Sequence, residues 1–329
     1  MPPPRVARAV LLLAGFVVGG VSGIAYARYQ RVIRQARERI SSSRIALTAC
    51  GPIEYAVAGH GEPVLLVHGA GGGHDQGLEF GQPLAQSGFR IIAMSRFGYL
   101  RTPLPVDASP AAQADAHACL LDALGIDRAA VVGASAGAPS AMQFALRHPD
   151  RCRAMVLLVP AAYVPRAGGA PPLQTPRWTE FLLGAALKSD FLFWAATRVA
   201  RSTVIEAILA TPRTLAENAT ADEQTRVDEV MQHILPISPR RLGLLNDAAV
   251  VSSLQRYELE RIAVPTLVIG VADCLFGTFE PARYTAEHIP GARFVRYKSG
   301  GHLWVGHQHE IVSEIVDFLK KGTETDCYP

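Results

Sequence analysis

The stretch Val131-Val132-Gly133-Ala134-Ser135-Ala136-Gly137 constrains this chain more than any other. An apolar run from Ala129 to Val132 stops abruptly at Gly-x-Ser-x-Gly, and a helical pattern begins directly after it. Strand, tight turn and helix in immediate succession form an elbow. The serine at its tip is held in a strained backbone conformation with its hydroxyl above the sheet. Glycines two before and two after are required because a Cβ at either place would collide with the neighbouring strand or helix. With those flanking signals, Ser135 reads as a nucleophile rather than as part of an ordinary glycine-rich loop.

The chain on either side alternates strands with helices. Short strands are expected at Arg44–Thr48 and Ile53–Ala58, with Gly51-Pro52 as the turn between them. Val64 to Val67 is wholly apolar, as suits a strand buried on both faces, and it runs into His68-Gly69-Ala70-Gly71-Gly72-Gly73. Ile91 to Met94 is the next strand, and Arg96-Phe97-Gly98-Tyr99 follows it. Ala111 to Leu124 has helical spacing. Ser140 to Arg147 continues the elbow helix, with Pro139 tolerated in its first turn. Further strands are expected at Ala154–Val159, Pro265–Gly270 and Arg293–Tyr297, and a last helix at Glu310–Lys320. The pattern implies an α/β fold with a mostly parallel, doubly wound sheet and right-handed crossovers.

Residues 160 to about 258 interrupt that alternation. A Pro/Gly/Ala-rich segment is followed by helical stretches heavy in aromatics: Trp178, Phe181, Phe191, Phe193 and Trp194. This reads as a helical cap inserted into the sheet. Its aromatics are expected to line a pocket and pack on the sheet in preference to touching a membrane.

The net charge of +3 conceals an asymmetry: residues 1–44 carry eight arginines against one glutamate, so the remainder is mildly acidic. That distribution argues against a nucleic-acid footprint. Ala9 to Ala27 is apolar enough, and at about 28 Å as a helix long enough, to span a hydrocarbon core. It is preceded by Arg5 and Arg8 and followed by Arg28, Arg31, Arg34, Arg37 and Arg39. Residues 1–27 are read as a single membrane anchor and 28–44 as a charged helix and basic linker, with the arginines against anionic headgroups. The positive-inside rule then places the catalytic domain in the cytoplasm. The competing reading is a signal peptide cleaved after Ala25-Tyr26-Ala27, with export of the domain. The five cysteines (Cys50, Cys119, Cys152, Cys274, Cys327) show no zinc spacing and are read mostly as small buried hydrophobes; disulfides become possible if the domain is exported. No metal is expected.

A serine hydroxyl near neutral pH needs a base within hydrogen-bond reach, and the base needs an orienting acid. Asp273 lies just past the strand ending at Gly270, and His302 just past the strand ending at Tyr297. Residues at the carboxyl ends of parallel strands line one crevice. Asp273 is therefore the expected acid and His302 the expected base. Competitors are weaker. His307 and His309 lie in the approach to the last helix, His68 suits a backbone-bonding role, and Asp75 and Asp115 are not at predicted strand ends.

Taken together, residues 45–320 resemble the α/β-hydrolase superfamily. The resemblance rests on His68-Gly69, Arg96-Phe97-Gly98-Tyr99, the elbow at Ser135, Asp273 and His302 in that order. It implies eight strands with the cap after the sixth. It also implies an oxyanion hole from the backbone N–H groups of Ala136 and Ala70, each worth about 3 kcal/mol of transition-state stabilisation. The glycines at 71–73 are not a dinucleotide fingerprint and no P-loop is present, so no cofactor is expected. Serine at the elbow argues against relatives that use an aspartate nucleophile. The expected activity is a serine hydrolase of small or lipophilic carboxylic esters. The alternatives are a carbon–carbon bond hydrolase or haloperoxidase-like relative and, from another class, a non-catalytic binding protein on the same fold.

Overall fold

The computed structural model describes residues 4–165 and 188–324, the side chains of 4–22 and 322–324 excepted. Eight strands form one sheet: β1 (Arg44–Thr48), β2 (Gly51–Ala58), β3 (Glu62–Val67), β4 (Phe89–Met94), β5 (Ala129–Ala134), β6 (Cys152–Leu158), β7 (Thr266–Val271) and β8 (Arg293–Tyr297). Their spatial order is β1-β2-β4-β3-β5-β6-β7-β8. β1–β2 and β2–β4 pair antiparallel and every other pairing is parallel. The elbow strand β5 therefore lies mid-sheet between β3 and β6.

The apolar strand runs follow from burial on both faces. Leu65 and Val67 enter one core with Ile92, Met94 and Val131, and Val64 and Leu66 enter the other with Ile91, Ala93 and Val132. Alternate residues point to opposite faces, so a strand between two helical layers needs apolar side chains at every position. Each such burial is worth about 1.5–3 kcal/mol. Helices α3 (Pro110–Ala123), α4 (Ala138–Arg147) and α10 (Phe279–His288) cover the first face; α2 (His74–Gln86) and α11 (Gln308–Glu324) cover the second.

Two helices were not legible from spacing. One is α2, which carries Gly77, Gly81 and Pro83 inside it. The glycines are there for proximity: an added Cβ on Gly77 would lie 2.8 Å from that of Ala93, and one on Gly81 2.6 Å from Leu66. The other is α10.

The cap helices among the described residues are α5 (Asp190–Val199), α6 (Arg201–Ile208), α7 (Arg213–Asn218), α8 (Ala221–His233) and α9 (Arg241–Ser252). They build a separate core from Phe193, Trp194, Ile205, Val227 and Met231, which also buries Leu303 and Val305 of the loop after β8. Trp178 and Phe181 lie outside the described residues.

Helix α1 (Pro4–Ser41) contains both the apolar stretch and the charged segment after it. Residues 28–41 are more than a linker. Ile33 and Ala36 are buried in the cap core, and Tyr29 meets Phe191 and Trp194 with ring centroids 5.1 and 5.7 Å away. Arg39 turns inward, pairing with Asp75 at 3.3 Å and donating to the Leu235 carbonyl at 2.8 Å. The other arginines of the segment, Arg28, Arg31, Arg34 and Arg37, are exposed. Residues 9–22, the greater part of the expected anchor, have side chains outside the described set, and among the described residues no helix is long and apolar enough to cross a membrane.

The cysteines divide. Cys50 and Cys119 form a disulfide tying the β1–β2 turn to α3, so these two are not simple buried hydrophobes. Cys152 and Cys274 are free and buried. Cys327 lies outside the described residues.

Candidate active site

Ser135 sits at the end of β5 with φ +48°, the strained elbow conformation. The flanking glycines are needed for contact. A Cβ on Gly133 would lie 2.6 Å from Ala141 Cβ in α4, and one on Gly137 2.4 Å from the Val67 carbonyl oxygen in β3. Ser135 Oγ is 3.0 Å from His302 Nε2, so the two side chains are in hydrogen-bond reach across 167 positions of sequence. His302 is buried, which pushes its imidazole down to about 4 from the ordinary 6.5. The Phe276 ring stands edge-on to it, centroids 4.9 Å apart.

The cap helps place His302. The Ala210 carbonyl, in the turn between α6 and α7, accepts from His302 N at 3.3 Å and from Leu275 N at 3.0 Å. Thr211 Oγ1 accepts from Leu303 N at 3.2 Å. One cap turn thus ties the loop after β7 to the loop after β8.

Asp273 stands differently from its expected position against the imidazole. Its Oδ1 accepts from Gly301 N at 2.8 Å and its Oδ2 from Gly300 N at 3.3 Å, so the carboxylate holds the backbone of the His302 loop. The group at His302 Nδ1 is Cys274 Sγ, 3.2 Å away. The expected residue and the observed contact differ by one position, which strand-end reasoning does not resolve.

Ala136 follows Ser135 in the elbow, and Ala70 lies in the loop after β3. Ala136 is buried at the start of the elbow helix and Ala70 lines the cavity over Ser135. Gly69 of that loop passes so close that an added Cβ would lie 3.2 Å from Ser135 Cβ. That loop is held by a buried polar network. His68 Nε2 accepts from Arg96 N at 2.9 Å while Nδ1 faces the Gly69 carbonyl at 2.7 Å, which fixes the tautomer with hydrogen on Nδ1. Burial, then the nearby Arg96 charge, keeps His68 neutral, well below its usual range. Arg96 donates to the carbonyls of His68 at 2.8 Å and Gly69 at 3.2 Å, and forms a two-pronged pair with Asp247 of α9, both contacts 2.6 Å. Tyr99 Oη donates to Asp247 at 2.5 Å and accepts from Gly71 N at 3.2 Å. A second pair, Arg240 with Asp75, also reaches the Gly72 carbonyl at 2.6 Å. The cap therefore grips the loop that carries Ala70 at both ends. His68 has the backbone-bonding role read from the sequence. Asp75 and Asp115 are ion-pair partners, Asp115 of Arg147 and His148. His307 pairs with Glu310 at 2.7 Å and His309 is exposed. Asp247, Arg240 and Cys274 carried no sequence signal, because each acquires its partner only through the cap or a neighbouring loop.

Above Ser135 and His302 lies a cavity of about 180 Å³. Its wall is mostly apolar, including Phe80, Val159, Ile208, Leu209 and Val230, and its polar side chains include Gln76, Glu79, Arg226 and Gln308. Arg226 is held by Glu223 at 2.8 Å and donates to the Leu303 carbonyl at 2.7 Å. No cluster of His, Cys, Asp or Glu among the described residues could hold a metal ion.

Residues 62–305 match the family model for the alpha/beta hydrolase fold. This chain belongs to the α/β-hydrolase family. The hydrolase is 30% identical over 288 residues to an uncharacterized hydrolase, YcgS, of Bacillus subtilis, covering 82% of this chain and 95% of that one. It is 26% identical over 304 residues to a 2-hydroxy-6-oxononadienedioate/2-hydroxy-6-oxononatrienedioate hydrolase of Cupriavidus pinatubonensis, 87% and 98% of the two chains. Among solved structures it resembles an α/β-hydrolase fold protein from Nakamurella multipartita, with TM-score 0.68, 29% identity, and 85% of this chain and all of that one covered.

Proposed function

We propose that this hydrolase cleaves a carbon–carbon bond beside a ketone, in a vinylogous diketo acid. The observation that carries the chemistry is Ser135 Oγ at 3.0 Å from His302 Nε2 beneath a mostly apolar cavity. Likeness to the Cupriavidus protein along nearly its whole length favours carbon–carbon cleavage over the carboxylesterase expected from the elbow.

In this reading His302 Nε2 takes the Ser135 proton as Oγ attacks the ketone carbon. Charge builds on the ketone oxygen, where the N–H groups of Ala136 and Ala70 are assigned to receive it. Collapse breaks the bond to the adjacent carbon. The electron pair leaves as a dienolate delocalised onto the distal carbonyl, and His302 returns the proton to it. Water then releases the acyl group from Ser135, with His302 again the base. Arg226 and the glutamines supply polar contacts for a carboxylate end, and the apolar wall takes the remainder.

The test is turnover of a 2-hydroxy-6-oxo-dienoate, whose 2,6-diketo tautomer is the species cleaved, beside p-nitrophenyl esters, in wild type and Ser135→Ala. Preference for the dienoate with both activities lost in Ser135→Ala supports the reading. Esters cleaved and the dienoate untouched returns the assignment to an esterase. Turnover surviving in Ser135→Ala removes Ser135 as nucleophile.

Location is part of the proposal. The apolar run from Ala9 to Ala27 supports tethering to a membrane. The Cys50–Cys119 disulfide favours an oxidising compartment, which points to export of the domain in place of the cytoplasmic side expected from the arginine count. Cell fractionation with thiol counting tests both: a soluble protein with Cys50 and Cys119 reduced would sink the assignment.

A further inference from the structure

We propose that Cys274 is the positioning residue for the base, its sulfur accepting the Nδ1–H of His302, while Asp273 acts one step away on the loop backbone. The inference rests on the Ser135–His302 reading above.

For His302 Nε2 to receive the Ser135 proton it must present a lone pair, so the ring hydrogen is on Nδ1. The atom in reach of Nδ1 is Cys274 Sγ at 3.2 Å, a good distance for an N–H···S contact. That sulfur is itself held in place. Thr278 Oγ1, at the start of α10, donates its hydrogen to Sγ at 3.2 Å, and Cys274 is 6% exposed. Both hydrogens directed at the sulfur come from outside it, so Sγ serves as an acceptor and selects the productive tautomer.

Asp273 is committed elsewhere. Gly300 and Gly301, at φ +136° and +64°, turn their N–H groups onto its two oxygens. The loop has no room to turn back: a Cβ on Gly301 would lie 2.7 Å from Thr211 Cα. The carboxylate thereby sets where the His302 backbone runs, and the thiol sets how its ring is turned. No atom is transferred to Cys274 at any step. The Ser135 proton moves to Nε2 and on to the leaving group, and the other ring hydrogen stays on Nδ1, directed at the sulfur, throughout.

A sulfur acceptor selects the tautomer but stabilises the imidazolium less than a carboxylate in the same place, which agrees with the low basicity burial imposes on His302. Among the described residues, the other ionisable or charged groups around this ring and its loop include Asp273 on Gly300 and Gly301, Arg226 with Glu223 of α8 on the Leu303 carbonyl, and His307, paired with Glu310 and packed beside Gly300. These are unchanged in a Cys274 variant, so a moved pH profile reports the Nδ1 contact.

The experiment is the second-order rate of fluorophosphonate labelling of the full chain against pH. It compares wild type, Cys274→Ala, Cys274→Ser, Cys274→Asp, Asp273→Asn and Ser135→Ala, with thermal melts on each. Cys274→Ala is expected to label on the order of tenfold to a hundredfold more slowly on the plateau. Cys274→Ser, nearly the same size and still an acceptor, recovers part of that loss and stands in if Cys274→Ala does not fold. In Cys274→Asp the acid limb moves upward from about 4, towards the ordinary histidine value, because a carboxylate at Nδ1 favours the charged ring. Asp273→Asn leaves the limb in place. The proposal is overturned if both small variants label at the wild-type rate, or if Asp273→Asn moves the limb and Cys274→Asp does not. Persistence of labelling in Ser135→Ala would instead refute the nucleophile assignment, a separate result.

Discussion

Substituting Asp247→Asn removes one charge from the cap without changing side-chain shape, and leaves the Arg96 guanidinium in a site where it is 6% exposed. The wild-type pair has two contacts of 2.6 Å, and Arg96 also holds the carbonyls of His68 and Gly69. Breaking a buried pair by neutralising one partner costs about 3–5 kcal/mol, since the remaining charge is desolvated without compensation. At about 2–4 °C per kcal/mol, the melting temperature should fall by about 6–20 °C. Urea and thermal unfolding of wild type and variant measure the loss. The companion double variant Arg96→Met with Asp247→Leu removes both charges. It should regain most of the stability. Its fluorophosphonate labelling should stay slow, because the loop carrying Ala70 loses its arginine contacts. A cost below about 1 kcal/mol for Asp247→Asn would show that water reaches the pair, and the burial argument would fail. Wild-type labelling in the double variant would show that Arg96 does not hold the loop.

Gly137→Ala should cost about 1–3 kcal/mol and abolish labelling, because the new Cβ meets the immobile Val67 carbonyl at 2.4 Å; retained labelling would refute the contact. Acid should destabilise the domain in two windows. Burial lowers His302 and His233 to about 4 and His117 to about 3, so the unfolded chain binds their protons first, and stability falls as pH drops below about 6.5. Glu54 extends the loss to lower pH: burial raises it, but hydrogen bonds from His74, Ser43 and Arg101 outweigh that and bring it to about 2. Unfolding free energy measured from pH 8 to pH 3 should hold level to about 6.5 and decline from there, and a flat profile between 6.5 and 5 would contradict the buried histidines. Replacing both Cys50 and Cys119 by serine should cost about 2–4 kcal/mol, read by urea unfolding under non-reducing conditions; equal midpoints would mean the bridge is not formed in the isolated protein.

The strands, the elbow and the place of His302 beside it were legible in the sequence because each depends on local chemistry. The apolar runs of β3 to β7 between turn residues specify the centre of the sheet, since a strand covered on both faces favours apolar side chains at successive positions. Gly-x-Ser-x-Gly after such a run specifies Ser135, and a histidine past the last strand specifies His302. What the tertiary structure decided is everything that depends on two distant segments meeting. Whether Asp273 or its neighbour Cys274 faces the imidazole turns on how the Gly300–Gly301 backbone seats against Thr211, a contact between β8's loop and the cap. That Asp247 and Arg240 of the cap hold the loop beside Ser135, and that the second half of α1 docks on the same cap, likewise follow from packing across more than a hundred residues. Periodicity reports which face of an element is buried; it carries no record of what that face is buried against.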